Sequence, residues 1–476
     1  MPETFDTVIR NGIVVLRDEA RQLDIGIRDG RIAGLGERLE ARGEASMKTV
    51  DASGCYVFPG VVDVHVHFNE PGLGSWEGFA SGSAALAAGG TTTYVDMPLN
   101  GRPPTVTAAA FEQKLEAARG QSYVDYAIWG GLVPGNRDQL EPLTAMGAIG
   151  FKAFLSDPGG QGDDIFREVD DLALYEGMKR IAAMNGILAL HAESDSLTST
   201  LAAKAMREGR RTARDYAATR PIIAELEAVN RALLYARHTG CSLHFVHISS
   251  EAAIELIDRA KQVGLNVTAE TCPHYLTLTE EDMESLGPVS KCAPPLRSAD
   301  EQERLWAALR AGRIDIIASD HSPCPPELKA AGDGCFFSAW GGISGAQSTL
   351  ELMLHEGHLK RGIELPVLAR MLSYQPARRF GLHPRKGEIA IGADADLAIV
   401  KMDESYTLEA AHLYSRHRQS PYVGRTFDCR VVTTFSRGER VYSLEEGLGP
   451  KRHGQWIKPA AVRKTATAEG AIAADC

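Results

Sequence analysis

Two histidines, His65 and His67, close an apolar run that begins at Val61 and reads Val-Val-Asp-Val-His-Val-His. In a strand, alternate side chains share a face, so the pair would project together, about 7 Å apart along the backbone. Two imidazoles on one face of a strand end can grip one transition metal. Four more residues with metal-site chemistry stand in later apolar runs. Lys152 lies in Gly150-Phe151-Lys152-Ala153-Phe154, His191 follows Leu190, His247 follows Val246, and Asp320 follows Ser319. Each alone has an ordinary reading. A strand histidine is usually core or surface, a strand lysine keeps an edge soluble, and an aspartate after a strand caps a helix.

Lys152 is the odd member of the set. A protonated amine beside metal cations is repelled. Burial lowers its pKa and leaves a neutral, nucleophilic amine. Such an amine can add CO2 and become a carbamate, an anion whose two oxygens can bridge two metals.

The elements around these residues alternate. Strand-like apolar runs cover 61–68, 92–97, 124–132, 150–155, 187–191, 243–248, 266–271 and 314–319. Helical patterns lie between them at 77–88, 108–118, 171–184, 221–237, 252–263 and 300–309. Eight strands with helical crossovers predict a (β/α)8 barrel, whose chemistry gathers at the C-terminal ends of the strands. All six residues fall on that one rim.

The chain ends read differently. Short strands at 5–10, 13–16, 24–28 and 31–35 are separated by the turn dipeptides Asn11-Gly12 and Asp29-Gly30. A matching set at 395–401, 430–436 and 439–443 carries Arg437-Gly438 as a turn. Both ends are expected to form one small β-sandwich, since domain termini often lie close together. The division is then 1–58 and 385–445 for the sandwich, 59–384 for the barrel and 446–476 for a tail, loosely ordered from about Pro459.

Bulk composition fits this plan. The chain has 476 residues, 44% hydrophobic and 24% charged, which excludes a disordered chain or a membrane bundle. A net charge of −11 offers no basic face, so nucleic acid is not an expected partner. No run approaches the ~20 apolar residues of a membrane span, and no membrane partner is expected. Met1-Pro2-Glu3-Thr4-Phe5-Asp6 has no apolar core of a secretory signal. Eight scattered cysteines without a CxxC pair read as reduced thiols, and the cytoplasm is the expected location.

In combination the motifs are specific. DVHVHFNEPG (63–72), AGGTTTYVDMPLN (88–100), GFKAFLS (150–156), HAES (191–194), VHISS (246–250), AETCPHYL (269–276), KCAPPLR (291–297) and SDHSP (319–323) resemble the cyclic-amidohydrolase branch of the amidohydrolase superfamily. Within that branch the chain is most similar to the allantoinase family, over about residues 5 to 445. The resemblance implies two divalent metal ions, expected to be zinc, with cobalt or manganese as alternatives. His65 and His67 would bind one and His191 and His247 the other, with carbamylated Lys152 bridging. Asp320 would bind a metal and shuttle the proton. It also implies a cyclic ureide substrate, opening of the hydantoin ring of allantoin to allantoate, and a homotetramer.

Departures from neighbouring families narrow the substrate. Dihydroorotase-like proteins carry an arginine where this chain has Asn69, so an anionic ring is disfavoured. Hydantoinase and dihydropyrimidinase types carry a tyrosine where this chain has Asp157, although that activity stays as the alternative. A neutral ureide wants amide-type partners. Asn100, Ser322, the backbone around Cys292-Ala293 and the Gly341-Gly342 loop, with Gly342 allowing close approach, are the candidate contacts. Asp157 to Asp164 is Gly-rich and could form a lid. Trp76, Trp129 and Trp340 are candidate pocket walls, at least one of them expected to be packing only. Cys272, Cys292 and Cys324 read as small buried apolar residues. A metal-free scaffold homologue is the non-enzymatic alternative, and retention of all six ligand positions weighs against it.

Overall fold

The computed structural model describes residues 4–39, 47–160, 162 and 165–460. At its centre are eight parallel barrel strands: β1 (Val61–Val66), β2 (Thr91–Asp96), β3 (Asp125–Ile128, resumed at Gly130–Gly131), β4 (Phe151–Phe154), β5 (Ile187–His191), β6 (Ser242–Phe245), β7 (Val267–Thr271) and β8 (Ile316–Ile317). Neighbours pair in chain order. Between the two pieces of β3, Trp129 N–H donates to the Asp96 carbonyl at 3.0 Å and Gly130 N–H to that of Gly150 at 2.9 Å. At the last seam His67 N–H donates to the His321 carbonyl at 2.7 Å, and Ser319 N–H to Asp63 Oδ1 at 3.2 Å. The barrel is therefore closed.

Its strands are covered on both faces, the inside by opposing strands and the outside by helices. That is why they read as continuous apolar runs rather than as alternating ones. All six expected crossover helices form, at Phe79–Ala88, Ala108–Ala118, Asp171–Ala183, Ile222–Thr239, Glu251–Gln262 and Ala299–Arg310. Four of them begin on a side-chain cap: Thr107, Asp170, Ser250 and Ser298 each accept a backbone N–H three residues on. Sequence patterning missed the helix Asp195–Arg207, of whose residues only Thr198 and Ala205 are buried. Without an apolar stripe there is no periodicity to find.

The chain ends share one sheet. Its order is Gly447–Leu448, Glu439–Ser443, Arg430–Ser436, Leu397–Lys401, Cys55–Pro59, Thr7–Val15, Ala20–Arg28 and Arg31–Gly36, with Lys48–Asp51 also paired to Thr7–Val15. Leu397–Lys401 runs antiparallel to Cys55–Pro59, so the joint between the ends is a ladder of backbone bonds. Val14, Ile25, Val57, Leu397 and Phe435 bury one face. The strand Cys55–Pro59 leads through Gly60 into β1, which ties this sheet to the barrel.

Two expectations change here. Asn11-Gly12 is not a hairpin turn: Thr7–Val15 is one strand, irregular between Ile9 and Gly12, with Asn11 at φ 65°. The Asn11 amide donates to Asp51 Oδ1 at 2.9 Å, and a Cβ on Gly12 would lie 2.7 Å from Val57 Cγ2. A bulge therefore uses the residues that usually make a turn. Asp29-Gly30 and Arg437-Gly438 do turn, with φ of 52° and 74° and of 47° and 73°. The segment after Ser443 is also packed further than expected. Ile457 is buried, and its N–H donates to the Tyr126 carbonyl at 2.8 Å. Positions 461–476 lie outside the described residues. Among the described residues no helix is long and apolar enough to cross a membrane.

Candidate metal centre

The ends of β1, β5, β6, β7 and β8 deliver buried polar side chains to one rim. His65 and His67 leave β1 on the same side, as alternation requires. His65 Nε2 lies 3.1 Å from Asp320 Oδ1, and His67 Nε2 lies 3.3 Å from the same oxygen. Ligand atoms of His65, His67 and Asp320 all fall within 4.8 Å of one another. Across the rim, His191 Nδ1 and His247 Nε2 face each other at 3.1 Å. The His65 and His247 rings, 5.4 Å apart, join the two groups. His247 and Asp320 both adopt left-handed backbone conformations, with φ of 39° and 46°. Non-glycine residues rarely do so, and such strain collects where side-chain aim matters.

Carboxylates behind two of the four histidines decide which nitrogen these present. His65 Nδ1–H donates to Glu270 Oε1 at 2.7 Å, which leaves the Nε2 lone pair facing Asp320. His191 Nε2–H donates to Glu193 Oε2 at 2.9 Å, which leaves the Nδ1 lone pair facing His247. The His65 Nε2 lone pair thus faces a carboxylate oxygen, an arrangement that a cation between them makes favourable, while His191 Nδ1 is left as the acceptor toward His247 Nε2. Glu270 also accepts from His247 N–H at 3.1 Å and from His244 Nε2 at 3.0 Å. Burial works to raise its pKa, but His65 and His244 outweigh burial and hold it at about 2. Glu193 is held at about 2 in the same way, with Arg220 the main force against burial. Neither glutamate was picked out from sequence, although both lie inside the motifs HAES and AETCPHYL. Glu193 stands two residues from His191, a spacing that could have marked it.

Titration favours metal binding. Burial lowers His67 to about 4 against the pull of Asp320, and places His247 well below its ordinary value. Burial raises Asp320, but His65, His67 and His247 outweigh it and keep the carboxyl well below the carboxylate range. Lys152 is fully buried at the same place, and among the described residues its Nζ has no hydrogen-bond partner. Burial lowers it to about 8, with Asp320 and Glu270 opposing. Nitrogens free of protons, one ionised carboxylate and an orphaned amine fit a pair of divalent cations bridged through a modified lysine.

The rim opens into a cavity of about 420 Å³. His65, His67, His191, His247 and Asp320 line it, together with Asn100 and Ser322. Lys152, Cys292 and Gly342 do not reach its surface, whereas the adjacent Ala293 and Gly341 do. Gly342 sits behind: a Cβ there would come within 2.4 Å of the Ser322 carbonyl oxygen. Asp157, Pro158, Gly159 and Gly160 of the expected lid also line the cavity, while its positions 161, 163 and 164 lie outside the described residues. Trp340 forms wall, with Trp76 edge-on to it at 4.7 Å. Trp129 is packing only, fully buried with its indole N–H on the Val64 carbonyl. Burial pushes the Cys292 thiol up to about 12 and Cys324 to about 11, so neither is a ready nucleophile.

A closed barrel with a histidine, lysine and aspartate rim defines a class, and comparison agrees: the chain belongs to the amidohydrolase family, which it matches over residues 56–441. Among individual proteins it is similar to the allantoinase of Deinococcus radiodurans, at 48% identity over 96% of this chain and 99% of that one. The allantoinase of Solibacter usitatus is 47% identical over 96% and 97%. Among solved structures, the L-hydantoinase from Arthrobacter aurescens superposes with a TM-score of 0.91 at 35% identity, covering 96% of this chain and 100% of that one. The dihydropyrimidinase from Brevibacillus agri NCHU1002 gives 0.88 at 29%, covering 96% and 99%.

Proposed function

We propose that this chain opens the hydantoin ring of allantoin at its amide bond and releases allantoate, as a metal-dependent cyclic amidohydrolase. The observation that carries this reading is similarity to allantoinases along nearly the whole chain, joined to a rim of buried metal-ligand side chains. His65, His67 and Asp320 would hold one divalent cation and His191 and His247 a second, with Lys152 bridging as its carbamate. Zinc suits this ligand set, and cobalt or manganese would serve. Bound there, two such cations supply Lewis-acid polarisation of a ring carbonyl and a lowered pKa for the attacking water.

The residues do the rest. Asp320, kept ionised by the imidazoles around it, accepts the proton of the attacking water as the new C–O bond forms. It then delivers that proton to the ring nitrogen as the C–N bond breaks, so the nitrogen leaves neutral. Glu270 and Glu193 hold His65 and His191 in single tautomers. Asn100 and Ser322 are the side chains proposed to meet the ureide N–H and C=O groups, with backbone at Cys292-Ala293 and Gly341-Gly342 completing the wall. Phe154, stacked on His191 at 4.5 Å, helps keep bulk water from the centre.

A hydantoin or dihydropyrimidine ring is the second reading, favoured by the names of the solved structures. The allantoinases are nearer in sequence, 48% against 35% identical. We also propose the domain division at 58, 384 and 445, the homotetramer that the resemblance implies and, from the seven free described cysteines, a reducing compartment such as the cytoplasm. The test of function is carboxylate release by metal-loaded protein from allantoin, hydantoin, dihydrouracil and dihydroorotate. Preference for allantoin is expected. Activity confined to hydantoin or dihydrouracil would replace the first reading by the second.

A further inference from the structure

Two lysines beside the cavity have no acidic partner. Lys291 is 4% exposed and Lys329 is 7% exposed, and among the described residues neither lies in an ion pair. Both instead bind backbone carbonyls of one loop. Lys291 Nζ donates to the carbonyls of Phe337 at 2.8 Å and Ala339 at 2.7 Å. Lys329 Nζ donates to Trp340 at 2.9 Å, Gly342 at 2.6 Å and the Lys291 carbonyl at 3.5 Å. An ammonium has three N–H donors. All three of Lys329 are therefore in use, whereas Lys291 uses two.

The two lysines also differ in position. Lys291 lines the cavity and Lys329 does not. The Lys291 ammonium stands 4.6 Å from the centre of the Tyr216 ring, which also lines the cavity, so an aromatic face helps to hold the charge. Lys329 fixes the carbonyls on either side of Gly341, and Gly342 in turn backs Ser322. Burying an ammonium without a carboxylate is costly. A loop anchor alone could be made from neutral donors. Burial, Lys329 and Arg220 lower Lys291 to about 7, and its protonated form keeps one donor free at the cavity wall, which suits an oxygen that arrives with the ligand.

We propose that Lys291 is a specificity-determining residue whose third N–H takes the ureido carbonyl oxygen of the substrate, while Lys329 positions the loop that carries the adjoining wall. This rests on the allantoin reading, because the ureido arm is what distinguishes allantoin from plain hydantoin. No bond is made or broken at Lys291, and its effect falls on binding rather than on the chemical step.

The experiment uses the full-length, metal-loaded protein with allantoin as substrate and hydantoin as competitor. Lys291→Met should raise the KM for allantoin tenfold or more with kcat within about threefold, and raise the inhibition constant of hydantoin, through the loosened loop, at least fivefold less than it raises that KM. Lys329→Met should weaken allantoin and hydantoin together. If Lys291→Met does not fold, Lys291→Gln, which keeps two donors, should show the same split with a smaller rise in KM. Equal weakening of both ligands by the Lys291 variants, or no change in either, would overturn the proposal. Failure of the wild-type protein to open allantoin would instead overturn the functional reading, so the two failures are told apart.

Discussion

The two halves of the metal centre are built differently. His65, His67 and Asp320 bring three ligand atoms within 4.8 Å, and one of them is a carboxylate. His191 and His247 bring two neutral nitrogens at 3.1 Å and no carboxylate of their own. Their supports differ too. Glu270 braces the first half and also reaches His244 and the His247 backbone, with no lysine or arginine partner among the described residues. Glu193 braces the second and is shared with Arg220, which lines the cavity. The first half is complete in its own charge. On the proposed reading the second needs an anion brought to it, and the orphaned amine of Lys152 is where one would be made.

Four changes would break or sharpen that contrast. Asp320→Asn should cost about 10³-fold in kcat, because it removes the proton carrier while keeping an oxygen ligand. Turnover like the wild type would take Asp320 out of proton transfer. Lys152→Ala should lose most of the metal from the second half-site and keep more in the first, as read by metal analysis. Short carboxylic acids should partly restore activity. Full occupancy of both sites in this variant would remove the bridge from the account.

Smaller effects should separate the two braces. Glu270→Gln and Glu193→Gln should each weaken metal affinity by about 10–100-fold, the first mainly at His65 and His67, the second mainly at His191 and His247. Identical loss at both sites from either variant would mean that the halves are not distinct. The smallest effect concerns pH. His67 is lowered from 6.5 to about 4, so the folded metal-free protein binds fewer protons than the unfolded chain between those values. Stability is therefore present above the unfolded value and is lost as pH falls from 6.5 towards 4. Between pH 6.5 and 5 the loss from this group is on the order of 2 kcal/mol. Chemical denaturation of metal-free protein should show it, and His67→Asn should flatten it.

The side chains gathered at the rim were legible in the sequence for both halves, and the carboxylates behind them for neither. Alternation in a short apolar strand puts His65 and His67 on one face, and the barrel pattern carries Asp320 to the same rim. The helix bounds were legible where an apolar stripe or a cap marked them. Glu193 and Glu270 were overlooked because an acidic residue beside a histidine says nothing about which nitrogen it braces until the strands are in register. Arg220 and Lys329 act across long sequence separations and leave no local signal. Asn11-Gly12 misled because the same two residues serve a turn and a bulge. The backbone of neighbouring strands decides between them.

The most direct test of the two-part centre is a titration of metal-free protein with zinc, in the presence of bicarbonate, followed by allantoin opening. The account predicts that the first equivalent binds with little activity, and that activity rises as the second equivalent fills the His191 and His247 side. Full activity with one equivalent bound, and no further gain with the second, would contradict it.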